Sequence, residues 1–163
     1  MIKILVVCTA NICRSPMGEV ILQNLVTQDG LDEVIEISSG GLLGIEGEQA
    51  SDFSIAVAKE NGLDLQSHRS QGITPDMMIK SELVLCMTVD HAEKLKFLYS
   101  AHHDKIYTLK EYLMEDELFS YSIEDPIGLS LDFYRKVFGE IKKELERIFP
   151  AIKKMAKSSA NDK

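Results

Sequence analysis

Residues 2–7 (Ile-Lys-Ile-Leu-Val-Val) form an almost unbroken apolar, largely β-branched run, which predicts a strand covered on both faces of a parallel sheet. A helix is predicted from Pro16 to about residue 26, with Ser15 as its N-cap and Pro16 in its first turn. Residues 33–38 (EVIEIS) alternate and end at Gly40-Gly41, predicting a second strand. A Gly-rich loop through Gly47 follows, then a helix over about 52–61 stopped by Gly62. The LVLCM segment at 83–87 reads as a third, buried strand. A helix near 90–97 and a short strand at 105–108 come next. The final element shows Leu131, Tyr134, Phe138, Ile141, Leu145 and Ile148 on one helical stripe. That spacing also suits a coiled-coil seam, but its short run and a Pro150 stop favour a helix lying on the sheet. Strands alternating with helices predict one α/β domain, an open parallel sheet with helices on both faces. The linker-like end, Lys157-Ser-Ser-Ala-Asn-Asp-Lys163, predicts a domain over 1–157 and a disordered tail over 158–163.

Composition narrows the function classes. A chain of 163 residues with 45% apolar and 27% charged positions can bury a proper core. No apolar run approaches the ~18 residues of a membrane span. The run at 2–7 is too short for a secretory leader, so the chain is expected to be cytoplasmic. A formal charge of −8 argues against nucleic acid or an anionic membrane as a partner, and requires any bound phosphate to be held by a local positive site. Cys8, Cys13 and Cys86 are an odd number, expected to be reduced thiols.

In α/β folds of this kind, ligands bind beyond the carboxyl ends of the strands, where residue 8 lies. The segment Cys8-Thr9-Ala10-Asn11-Ile12-Cys13-Arg14-Ser15-Pro16 carries the chemistry. A cysteine separated from an arginine by five residues arises by chance in roughly 7% of such sequences, so spacing alone is weak evidence. Its place between a buried strand and a helix sharpens it. A five-residue loop there can turn its N–H groups, with the positive end of the helix, onto one tetrahedral phosphate. Arg14 adds a bidentate fork for two phosphoryl oxygens. The same field favours the Cys8 thiolate, an activated nucleophile for phosphorus.

These residues, with Val7 ahead of them, resemble the signature loop of the low-molecular-weight protein tyrosine phosphatases, and the resemblance runs over nearly the whole chain. It implies a four-stranded parallel sheet, no metal or other cofactor, phosphorylated proteins or peptides as substrates, and a phosphocysteine intermediate. It implies that residues 9–14 (Thr9, Ala10, Asn11, Ile12, Cys13 and Arg14) hold the phosphate, with Cys8 as nucleophile and Arg14 as clamp. Ser15 would hydrogen-bond the thiolate, and Asn11 would hold the strained loop, since Asn tolerates left-handed angles. Ser39 and His68 resemble positions that support the loop from behind. Ala10 departs from the family, which usually has Gly there, and Ala resists positive φ. The resemblance also makes Cys13 a candidate redox partner for Cys8.

The leaving oxygen needs a proton, and the loop holds no acid. An Asp-Pro pair is by itself a turn signal. Asp125-Pro126, just before the last helix, matches the family's general acid in position and order. Pro126 pushes Asp125 towards extended angles, which would hold its carboxyl in one direction. His102-His103 lacks companion metal ligands at suitable spacing, and Cys86 reads as core.

Substrate signals diverge. Ile12 is the residue of the tyrosine-specific branch and offers an apolar wall. Asp125-Pro126-Ile127-Gly128-Leu129-Ser130, with Lys110-Glu111-Tyr112, looks more like the bacterial protein-arginine phosphatases, which carry Thr at the Ile12 position. Ile12 is given the greater weight, with Leu42, Leu43, Ile45 and Ile127 as further candidate specificity residues, so phosphotyrosine is expected and phosphoarginine is the alternative. An arsenate reductase needs two further reactive cysteines, where only Cys86 is available. A silent phosphopeptide-binding module would be expected to have lost Cys8, Arg14 or Asp125.

Overall fold

The computed structural model describes residues 1–161. Its elements are β1 (Ile2–Cys8), α1 (Arg14–Gln28), β2 (Ile35–Gly41), α2 (Asp52–Glu60), α3 (Pro75–Lys80), β3 (Leu83–Cys86), α4 (Val89–Leu98), a 3-10 turn (Ser100–Lys105), β4 (Ile106–Thr108) and α5 (Leu131–Asn161). All strand pairs are parallel, and the order is β2-β1-β3-β4.

β1 is the hinge of the architecture. It is central, so both faces of its apolar run are covered. Ile2, Ile4 and Val6 pack in the cluster containing Met17, Leu22, Phe138 and Ile141, from α1 and α5. Leu5 and Val7 pack on the opposite face with Met78 of α3 and Ala92 and Leu95 of α4. The predicted helices-on-both-faces arrangement follows directly from this alternation. The order also places the chain reversal beside Cys8: β2 pairs on one side of β1 and β3 on the other. The crevice beyond the strand ends opens there.

Three expectations need correction, and one element was not foreseen. The α3 helix was not predicted. It is only six residues long, although Thr74 caps it by accepting from the Met77 N–H and Pro75 opens it. Ser15 is not the cap of α1: the helix begins at Arg14, after Cys13, with no side-chain cap. Pro150 does not stop the last helix, and the expected disordered tail begins inside it. α5 continues to Asn161, so 158–161 are helical, while 162–163 lie outside the described residues. A proline inside a helix costs about 3 kcal/mol, mainly through one lost backbone bond. Pro150 is exposed, so the carbonyl it strands can be hydrated. Burial of Ile148, Phe149, Ile152 and Ala156 on either side holds the helix together across it.

Candidate active site

The segment 9–13 leaves the end of β1 and closes at the first residue of α1. Its shape is imposed by segments far away in sequence. The Leu42 N–H donates to the Cys8 carbonyl at 3.1 Å, Leu43 N–H to Thr9 at 2.9 Å, and Ser51 N–H to Ile12 at 2.9 Å. The His68 Nε2–H donates to the Asn11 carbonyl at 2.8 Å. In a trans peptide the N–H points opposite to the C=O. Outward-facing carbonyls at 8, 9, 11 and 12 therefore turn the N–H groups of Thr9, Ala10, Ile12 and Cys13 the other way, into the loop.

Asn11 makes that curl possible. It is fully buried with a φ of 59°, the left-handed region Asn tolerates better than other residues with a Cβ. Its Nδ2 donates to Ser15 Oγ and to Ser39 Oγ, each at 2.8 Å, and its Oδ1 accepts from the Gln71 N–H at 3.0 Å. Ala10 does not have positive φ, so the alanine that replaces the family's usual glycine bears no strain. The glycine this loop does need is Gly41, at the end of β2. A Cβ there would come within 2.7 Å of the Ala10 carbonyl carbon and 2.8 Å of the Asn11 nitrogen.

The Cys8 Sγ is buried and lies 3.0 Å from Ser15 Oγ. Ser15 already accepts from Asn11, so its own proton is free to point at sulfur. The Ser39 hydroxyl in turn donates to the Glu19 carboxylate. Glu19 and Gln71, which also donates from Nε2 to the Ser39 carbonyl at 2.9 Å, were missed by the sequence reading. Neither sits in a motif, and only folding brings Gln71 to Asn11 and Glu19 to Ser39.

Arg14, 3% exposed, is anchored rather than loose. Its Nη1 donates to the Ile123 carbonyl at 2.9 Å, and its Nη2 lies 3.2 Å from Asp125 Oδ2 and 3.4 Å from Thr9 Oγ1. Its Nε has no partner among the described residues. The segment that delivers Asp125 is tied down by Ile123 N–H to the Met87 carbonyl at 2.7 Å. The other Asp125 oxygen accepts from the Ile127 N–H at 3.1 Å, fixing the carboxyl's direction.

Cys8, Arg14 and Asp125 thus meet at one cavity of about 290 Å³, which Thr9, Ala10, Ile12, Cys13, Leu43, Ile45 and Ile127 also line. Leu42 does not line it. Its side chain packs against the Leu5 and Val7 cluster instead, because successive residues leave the strand end on opposite faces. Cys13 Sγ lies 3.4 Å from the Tyr134 hydroxyl, whose ionisation is pushed up to about 12 by burial and then by Cys13. All three cysteines are free thiols. Cys86 packs on the far face with Leu5 and Val7, and burial pushes its thiol far up, which makes it a poor candidate for the second thiol of an arsenate reductase.

A parallel α/β sheet that curls one cysteine-to-arginine loop between its first strand and first helix defines a class of anion-binding folds. The chain belongs to the low molecular weight phosphotyrosine protein phosphatase family, whose pattern it matches over residues 3–158. It is 30% identical over 151 residues to a protein-arginine-phosphatase of Bacillus subtilis, covering 93% of this chain and 97% of that one. It is 34% identical over 139 residues to a low molecular weight protein-tyrosine-phosphatase of Staphylococcus haemolyticus, covering 85% and 91%. Among solved structures, an arginine phosphatase from Geobacillus stearothermophilus superposes with a TM-score of 0.84 at 30% identity, covering 95% of each chain.

Proposed function

We propose that this protein hydrolyses phosphotyrosine in proteins or peptides through a phosphocysteine intermediate on Cys8. The observation that carries the reading is the meeting of Cys8, Arg14 and Asp125 at one cavity whose remaining side walls, Ile12, Leu43, Ile45 and Ile127, are apolar. The inward N–H groups of the loop and the unpartnered Arg14 Nε–H receive the phosphoryl oxygens. The Cys8 thiolate attacks phosphorus, an S–P bond forms, and the ester P–O bond breaks. Asp125 delivers its proton to the departing phenolate oxygen. Water then attacks the phosphocysteine, loses a proton to Asp125, and releases phosphate and the thiolate. Phosphate binding draws Arg14 onto the ligand and frees Asp125 Oδ2 from Nη2 for this exchange.

The apolar walls favour an aromatic ring. A phosphoarginine guanidinium would face Ile12, where its N–H groups lose hydrogen bonds to water. The free thiols suit a reducing, cytoplasmic setting. The charge of −8 disfavours nucleic acid and anionic membrane, and among the described residues no helix is long and apolar enough to cross a membrane.

The test is kcat/KM on matched phosphotyrosine and phosphoarginine peptides for wild type and Ile12→Thr. Wild type should prefer phosphotyrosine. The substitution should move the ratio towards phosphoarginine by about 10-fold or more, since a contact of this size is worth ~1–3 kcal/mol. A wild-type preference for phosphoarginine would overturn the substrate assignment and return weight to the resemblance at 125–130.

A further inference from the structure

One buried imidazole beside the cavity has no part in this scheme. His91 of α4 is 5% exposed, and its Nε2 lies 2.8 Å from Thr9 Oγ1. Its Nδ1 is buried with no partner among the described residues. Burial, then the Arg14 and Lys94 charges, push the ring down to about 4, so near neutral pH it carries a single proton. That proton must sit on one of two nitrogens. On Nδ1 it would be a buried donor with no acceptor, the rarer and costlier kind of orphan. On Nε2 it is donated to Thr9, and only a lone pair is left bare.

The consequence falls on the Thr9 hydroxyl, which has two lone pairs and one proton. His91 Nε2–H takes one lone pair, and Arg14 Nη2, 3.4 Å away, takes the other. Among the described residues no further partner is in hydrogen-bond reach of the remaining O–H, and Thr9 lines the cavity with Cys8. We propose that the Thr9 hydroxyl is a side-chain donor to the phosphoryl group, and that His91 is the positioning residue that turns it there. The proposal rests on the phosphatase reading above.

The experiment compares wild type with Thr9→Val, Thr9→Ser, His91→Leu, His91→Gln and the Thr9→Val/His91→Leu double variant. It measures kcat/KM on a phosphotyrosine peptide and Ki for inorganic phosphate, with the 15N shifts of the His91 ring in wild type. Hydrogen bonds to charged groups are worth about 10- to 100-fold. Thr9→Val should lose that much in kcat/KM and weaken phosphate inhibition, while Thr9→Ser keeps both. His91→Leu should lose activity in the wild-type background and nothing further beside Thr9→Val, and His91→Gln, which retains an N–H, should recover part of the loss. The ring should be protonated on Nε2. Phosphate inhibition unchanged in Thr9→Val, equal His91→Leu losses in both backgrounds, or an Nδ1–H ring would each overturn the proposal. If His91→Leu does not fold, the Thr9 variants and the ring shifts still decide. A wild type that neither turns over phosphopeptide nor is inhibited by phosphate fails the phosphatase reading itself and takes this donor with it.

Discussion

The Sγ of Cys8 and the Oγ of Ser15 lie 3.0 Å apart, with Asn11 Nδ2 holding the serine oxygen from behind at 2.8 Å. Ser15 thus gives up the role of helix cap and presents its proton to sulfur. Cys8→Ser should abolish turnover in a folded protein, and quenched wild-type reactions should carry phosphate on Cys8. Ser15→Ala should lower kcat by about 10- to 100-fold, the value of one hydrogen bond to a charged group, and slow alkylation of Cys8 by iodoacetate. Metal-free turnover retained by Cys8→Ser would rule out the covalent mechanism.

Asp125 stands 3.2 Å from Arg14 Nη2 with its other oxygen held by the Ile127 N–H. Asp125→Asn should cost ~10²–10⁴-fold in kcat on phosphotyrosine. The loss should shrink along a series of aryl phosphates with progressively better leaving groups. A uniform loss across the series would assign Asp125 to positioning Arg14 rather than to proton transfer.

Gly41 is where β2 touches the back of the loop. The three atoms a Cβ would strike are all backbone, belonging to Ala10, Asn11 and Thr9, so none can swing aside as a side chain would. Gly41→Ala should therefore displace the loop, destabilise the fold by about 1–3 kcal/mol, and reduce kcat/KM at least 10-fold. Urea midpoints and steady-state kinetics measure both, and wild-type values in both would mean the loop is not seated against β2.

His91 links folding to acid. The unfolded chain takes up a proton there near pH 6.5, whereas the folded ring resists until about 4. Between those limits the unfolded state binds more protons, so stability falls as the pH drops; above 6.5 both states are neutral and the contribution vanishes. Each pKa unit is worth about 1.4 kcal/mol, so the loss by pH 4 is on the order of 3 kcal/mol. Thermal melts from pH 7 to pH 4 should show this slope in wild type and a shallower one in His91→Gln. Parallel slopes would mean other groups govern the acid limb.

Much of the molecule was legible because the relevant physics is local. An apolar run too dense for a half-exposed strand marked β1. A stripe at helical spacing marked α5, and a cysteine-to-arginine loop between a strand and a helix marked the candidate anion site. Even where the reading failed at Pro150, the apolar stripe continued to Ile152 and Ala156, and burial of that face outweighed the local stop.

The chain by itself therefore determined most of the elements, α3 and the full reach of α5 excepted, and where phosphate chemistry could sit. It did not determine what holds Arg14, Asn11 and Thr9 in place. Arg14 is anchored by a carbonyl 109 residues away, Asn11 by an N–H 60 residues away, and Thr9 by a histidine 82 residues away. No periodicity or turn rule encodes those pairings. They exist because β1 runs between β2 and β3, so the loop leaving its end is met on one side by the segments following β2 and on the other by α4 and the residues before α5. Buried donors and acceptors must find partners wherever the packed sheet puts them, and only the tertiary structure decides which residues those are.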